Sequence, residues 1–122
     1  MRDSRPLVYV VDDDESMRRS VARLLKAHGF STETFASADD FLSLSRAKHP
    51  SCLILDVSLP GMSGIDLQKE MEKRKLDLPI VFVTGHGDIP MSVEAMKGGA
   101  VDFLQKPFGA KELLEAVELA MA

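Results

Sequence analysis

Leu7-Val-Tyr-Val-Val11 runs directly into Asp12-Asp13-Asp14, and that junction decides the fold. A short apolar, β-branched run reads as a buried strand, and three carboxylates at its end read as the start of a polar site. The same event recurs three times. Cys52-Leu-Ile-Leu55 stops at Asp56, Ile80-Val-Phe-Val83 stops at Thr84, and Val101-Asp-Phe-Leu-Gln105 stops at Lys106-Pro107. If these runs are parallel strands of one sheet, three carboxylates, a hydroxyl and an ammonium meet at its carboxyl edge. Open α/β sheets bind their ligands at that edge, where the strand order reverses.

Helical patterns separate the strands. Asp14 is a candidate N-cap for a helix with Met17, Val21, Leu24, Leu25 and His28 on one face, ended by Gly29. Ser31-Thr-Glu-Thr-Phe35 is a more polar strand, which places it at a sheet edge. Ser37-Ala-Asp-Asp40 has the spacing of a helix start and leads through Phe41, Leu42, Leu44 and Ser45 to about Lys48, with Pro50 as the break. Ser63 and Asp66 open a helix through Ile65, Leu67 and Met71 to about Lys75. Asp88 can cap a helix carrying Ile89, Val93 and Met96 and ended by Gly98-Gly99. The last helix begins near Gly109 and buries Leu113, Leu114, Val117 and Met121. Helices between successive strands predict right-handed crossovers and a doubly wound, five-stranded parallel α/β sheet covered on both faces.

The 122 residues fit one domain, at 45% hydrophobic and 28% charged. A net charge of −4 and the lack of a long basic tract disfavour direct binding of nucleic acid or an anionic membrane. The single cysteine, Cys52, lies in an apolar run and reads as a buried core residue, so no disulfide framework exists and a reducing compartment fits. No run approaches the ~18 apolar residues of a membrane span, and the N-terminal apolar run is shorter than a signal sequence requires. A cytoplasmic protein is the expectation.

Asp12, Asp13 and Asp56 resist ionising together unless a cation intervenes. Oxygen donors without a His or Cys cluster suit Mg²⁺, with Mn²⁺ as the alternative, rather than zinc. A carboxylate such as Asp56 can act as a nucleophile toward a phosphoryl group. Lys106 offers a point charge and Thr84 a hydroxyl for phosphoryl oxygens. Pro107 is a candidate for a cis bond that sequence cannot decide. His86 reads as an exposed loop residue, and His28 and His49 fall near helix C-termini.

The segments Val10-Val-Asp-Asp-Asp-Glu15, Leu55-Asp-Val-Ser-Leu-Pro-Gly-Met-Ser-Gly64, Val83-Thr-Gly-His-Gly-Asp88 and Ala100-Val-Asp-Phe-Leu-Gln-Lys-Pro-Phe108 together resemble the receiver domain of bacterial two-component response regulators, over essentially residues 1–122. The stretch Thr84-Gly-His-Gly-Asp-Ile-Pro-Met91 resembles the FixJ-like branch in particular. The resemblance implies a flavodoxin-like strand order 2-1-3-4-5. It also implies a signalling domain rather than an enzyme, one that catalyses only its own phosphorylation and dephosphorylation. Asp56 becomes the phosphoacceptor for a sensor histidine kinase. Asp13, Asp56 and the main-chain carbonyl of Ser58 become metal ligands, and Asp12 acts through water. Thr84 and Lys106 hold the phosphoryl group, and Phe103 is the aromatic switch. The kinase is expected on Ser16, Arg18, Arg19, Pro107 and Phe108. A phosphorylation-dependent homodimer would use the face of the fourth helix and fifth strand. Nucleic acid would be met only through an output domain outside this chain, the receiver then being the N-terminal part of a longer transcription regulator.

Three departures from the family pattern matter. Ser58 is smaller than its counterpart in many relatives, which gives water a path to a phosphoaspartate at Asp56. Phe103 lacks the hydroxyl of the commoner tyrosine. Gly98 adds a glycine to Gly99, and its conformational freedom predicts a mobile end to the fourth helix. Two other readings compete. An aspartate-nucleophile phosphatase of the haloacid-dehalogenase type would need an acid where Ser58 stands, and a binding-only receiver would not need the full acidic set.

Overall fold

The computed structural model describes residues 5–44, 52–85 and 89–122. Strands and helices alternate: β1 Leu7–Val11, α1 Glu15–Ala27, β2 Ser31–Phe35, α2 Ala38–Leu44, β3 Cys52–Asp56, α3 Gly64–Lys73, β4 Ile80–Thr84, α4 Ile89–Lys97, β5 Asp102–Gln105 and α5 Ala110–Ala120. The strands form one parallel sheet in the order β2-β1-β3-β4-β5. The order reverses between β1 and β3. Val11 pairs with Leu55 there, so the residues following β1 lie beside the end of β3.

Side-chain alternation divides the core into two layers. Tyr9, Val11, Leu53, Leu55 and Phe82 point toward α2, α3 and α4, where Phe41, Leu67, Met71 and Ala95 meet them. Val8, Val10, Cys52, Ile54, Val81 and Val83 point the other way, onto Val21 and Leu25 of α1 and Leu113, Ala116 and Val117 of α5. Each fully buried side chain of this size contributes about 1.5–3 kcal/mol. A one-residue slip of any central strand would exchange the two layers. The Tyr9, Phe35 and Phe41 rings pack edge-on or tilted at 5.5–6.0 Å. The Tyr9 hydroxyl is buried without a hydrogen-bond partner among the described residues.

The helix starts follow their sequence signals. The Asp14 carboxylate accepts from the N–H groups of Ser16 and Met17. Ser63 and Asp66 form a reciprocal capping box, and Ser37 Oγ accepts from Asp40 N–H. Three expectations change. His28 is exposed rather than on the buried face, because α1 ends at Ala27 and the ring turns back to the Leu24 carbonyl at 3.0 Å. The α3 helix stops at Lys73, and Lys75 takes a left-handed φ of 58°. Of the four apolar runs, β5 is only partly covered, with Asp102 and Phe103 half-buried and Gln105 exposed, because it is the second edge of the sheet. Ile89, Val93 and Met96 of α4, whose helical spacing fits a core face or an interface equally, all face solvent. The expectations for Ser45, Lys48, His49, Pro50, His86 and Asp88 fall outside the described residues. No described helix is long and apolar enough to cross a membrane.

Candidate phosphoryl and metal site

The sheet delivers its strand ends to one place. Asp12 follows β1, Asp56 closes β3, Thr84 closes β4 and Lys106 follows β5. Backbone bonds beyond the ladder fix the loops that leave these ends. Asp12 N–H donates to Phe35 O at 3.1 Å, Val57 N–H to Val83 O at 3.0 Å, and Lys106 N–H to Thr84 O at 2.7 Å. Oxygens of Asp12, Asp13 and Asp56 lie within 4.8 Å of one another. Asp12, Asp56 and Thr84 are buried, at 1%, 4% and 0% exposure, whereas Asp13 is exposed. The site is therefore a buried floor with one carboxylate at its mouth.

Each buried carboxylate is oriented by a short local bond. Asp12 Oδ1 accepts from Asp14 N–H at 2.9 Å, and Asp56 Oδ1 accepts from Ser58 N–H at 3.0 Å. The Lys106 ammonium donates to Asp12 Oδ2 at 2.9 Å and to Asp56 Oδ2 at 3.3 Å. Burial pushes the Asp56 carboxyl above its ordinary value. The Ser58 N–H and Lys106 pull it down, and the Asp12 charge pushes it further up. Burial alone would lower the Lys106 pKa, but its bonds to Asp12 and Asp56 more than reverse that and raise it. Three carboxylates against one ammonium leave two formal negative charges in a space too small for them. Hard oxygen donors with that excess charge fit a divalent cation of the Mg²⁺ type.

The remaining expected residues fall around this floor. Ser58 is exposed on the β3–α3 loop beside Asp56. Phe103 is half-buried, 6.2 Å from Phe82 between ring centroids. The Lys106–Pro107 bond is cis. Ser16, Arg19 and Pro107 are exposed, and Phe108 is half-buried against the α1–α5 layer. Met17, Val21, Leu24, Pro107, Phe108 and Leu113 line an apolar groove of about 230 Å³ between α1 and α5.

Arg18 departs from its expected place on a free surface. It is half-buried, and its guanidinium donates to the Asp12 carbonyl at 2.7 Å, holding the peptide that carries Asp12 and Asp13. Gly64 has a role that its place at the end of the Leu55–Gly64 segment did not reveal. Its N–H donates to Val57 O at 2.9 Å, and an added Cβ would fall onto the Asp56 carbonyl and within 2.9 Å of Val57 Cα. The signal available was a glycine at the first turn of a capped helix, directly after the Asp56 loop.

Comparison with known proteins gives one answer. The model of the response regulator receiver domain matches residues 8–118. Nodulation protein W of Bradyrhizobium diazoefficiens is 52% identical over 117 residues, which cover 96% of this chain and 52% of that protein. Response regulator protein TodT of Pseudomonas putida is 44% identical over 121 residues, 99% of this chain and 53% of that protein. The chain thus spans about half the length of these curated relatives. Among solved structures, the response regulator StyR superposes with a TM-score of 0.89 at 50% identity, covering 96% of this chain and 59% of that one. FixJ-N superposes at 0.87 with 42% identity, covering 98% and 94%. Fold, sequence and relatives agree that the chain belongs to the response regulator receiver domain family, in its FixJ-like branch.

Proposed function

We propose that the chain is a phosphorylation-driven switch whose phosphoacceptor is Asp56. The observation that carries this reading is the position of Asp56 at the end of β3. It is buried, its oxygens lie within 4.8 Å of those of Asp12 and Asp13, and Lys106 Nζ is 3.3 Å away. A sensor kinase presents a phosphohistidine, an Asp56 oxygen attacks phosphorus, the P–N bond breaks and the imidazole leaves. The Ser58 N–H donates to one carboxylate oxygen and Lys106 to the other, which orients the nucleophile before attack. Asp13, Asp56 and the Ser58 carbonyl would hold Mg²⁺, or Mn²⁺ in its place, with Asp12 acting through a water. When bound, the ion supplies positive charge against the phosphoryl oxygens. Lys106 then exchanges part of its bond to Asp12 for a phosphoryl oxygen, and Thr84 donates its hydroxyl to another. Water later hydrolyses the acyl phosphate, and the chain has no further enzymatic role.

Movement of Thr84 toward the phosphoryl group opens room for Phe103, which is half-buried beside Phe82. The change is read out on the α4–β5 face, where Ile89, Val93 and Met96 form an exposed apolar stripe at helical spacing. Two phosphorylated copies pair through it. The apolar groove between α1 and α5, with Met17, Val21 and Leu24 on its α1 side, suits a helix of the kinase. The relatives of about twice this length include a transcriptional regulatory protein, FixJ. In this reading residues 1–122 are the N-terminal part of such a cytoplasmic regulator, and nucleic acid is met only through an output domain.

The test is intact-protein mass after incubation with Mg²⁺ and a small phosphodonor, for wild type and Asp56→Asn. The expected result is one phosphoryl group on the wild type, absent with EDTA and absent in the variant. A wild type left unmodified by both the small donor and a phosphorylated kinase would sink the proposal.

A further inference from the structure

The α4 helix is attached to the rest of the molecule by very little. Ala95 is its one buried residue, whereas α3 buries five and α5 four. A helix with so small a buried face lies at the low-stability end of a fold, so individual polar contacts decide where it sits. Gln68 of α3 supplies one. Its side chain is 7% exposed, and its Nε2 donates to the Ala95 carbonyl at 3.0 Å. The same carbonyl accepts from Ala100 N–H at 3.2 Å, so the amide reinforces the point where α4 ends. Their immediate neighbours Lys69 and Glu94 pair at 3.1 Å, but both are more than half exposed and contribute little.

Gly98 makes the Gln68 bond possible. A Cβ at position 98 would stand 2.7 Å from Gln68 Cδ and Oε1 and 2.8 Å from Nε2. No side chain at 98 can share that space with the amide. Gly99 has the separate task of ending the helix at φ +101°. The paired glycines, expected to loosen this end of α4, therefore have opposite origins, and the first admits a clamp.

We propose that Gln68, with Gly98 as its matched counterpart, is a positioning residue that holds α4 in its phosphate-free position. This rests on the switch reading above: α4 follows the Thr84 end of β4 and carries the stripe formed by Ile89, Val93 and Met96. The clamp grips the opposite end of the helix. Releasing it frees α4 to reach the dimer-competent position without phosphate, because a contact made in only one of two states biases their equilibrium.

The test uses Gln68→Ala, Gly98→Ala and the double variant, with two readouts. The first is amide hydrogen exchange at residues 95–100, using the β3 and β4 amides as a check of folding. Each single variant should exchange roughly threefold to tenfold faster there, the worth of one hydrogen bond. In the Gln68→Ala background, Gly98→Ala should instead slow exchange, because position 98 is not left-handed, alanine there narrows the unfolded chain's freedom, and the amide is gone. The second readout is dimer affinity without a phosphodonor, which should tighten by a similar factor in each single variant. Gly98→Ala acting in the same direction in both backgrounds would overturn the proposal, as would unchanged phosphate-free dimerisation in both single variants. A wild type that is phosphorylated at Asp56 yet never dimerises would count against the switch reading. The sign reversal in exchange would still support the clamp.

Discussion

The Lys106 ammonium lies 2.9 Å from Asp12, closer than its 3.3 Å to Asp56, across 94 positions of sequence. The strongest bond of the proposed phosphate-binding lysine is thus to the carboxylate beside the acceptor. Two carboxylates less than about 5 Å apart repel by roughly 3 kcal/mol at an effective dielectric near 20, and Lys106 offsets that repulsion. A cation in the site would take over the same task, leaving Lys106 available to a phosphoryl oxygen.

Lys106→Met should therefore destabilise the metal-free protein. Breaking a fully buried pair costs about 3–5 kcal/mol. The Lys106 side chain is 19% exposed, so a loss of about 1–2 kcal/mol is expected after allowing for solvent screening. Saturating Mg²⁺ should shrink the difference, because the ion replaces the missing charge. Urea unfolding in EDTA and in Mg²⁺ measures both. Equal stability of variant and wild type in EDTA would show that the ammonium does not hold the acids together.

Gly64→Ala tests how tightly the acceptor loop is packed. The new methyl would meet the Asp56 carbonyl and the Val57 Cα, and backbone atoms cannot rotate away as a side-chain tip can. A cost of about 2–3 kcal/mol is expected, together with slower phosphoryl uptake at Asp56 as the β3–α3 loop shifts. Unfolding midpoints and the mass-based uptake rate check the two effects. A variant as stable as wild type would mean that the loop gives way freely.

Much of this site was legible because strands advertise their ends. An apolar run that stops at a carboxylate, repeated in a chain of alternating elements, places Asp12, Asp56, Thr84 and Lys106 together without coordinates. Caps were legible for the same local reason, since Asp14 and Ser63 act within three residues of themselves. Arg18 and Gln68 were not legible, because each donates to a backbone carbonyl. Every residue offers a carbonyl, so sequence gives no sign of which one is chosen. Nor could periodicity tell whether Ile89, Val93 and Met96 face a core or a partner, since both need the same helical spacing.

Cys52 gives a pH-dependent expectation. Burial in the sheet pushes its thiol from an ordinary value of 9.0 up to about 12. The folded state therefore keeps a proton that the unfolded state releases first. The stability contribution of Cys52 is fully present below pH 9 and is lost as pH rises toward about 12. Between those values the thiolate forms only on unfolding. Alkylation at pH 9 should proceed at the rate of global opening and accelerate with urea in step with unfolding. Rapid alkylation of the folded protein would contradict the burial of Cys52.

The stripe on α4 gives the sharpest separation of folding from signalling. Ile89 is 79% exposed and Val93 44%, so replacing them removes little from the core. Ile89→Ser and Val93→Lys should each change stability by no more than about 0.5 kcal/mol. Phosphoryl uptake at Asp56 should be untouched, because neither residue is part of the site. Dimerisation should respond very differently. In a two-fold symmetric pair each substitution is present twice. Losing about 1 kcal/mol of apolar contact on each side weakens association by about 2 kcal/mol, some thirtyfold. Sedimentation of the phosphorylated variants measures that loss, and intact mass confirms that the phosphoryl group is present. Variants that take up phosphate and still dimerise as wild type would move the interface elsewhere and leave the exposed stripe without a partner.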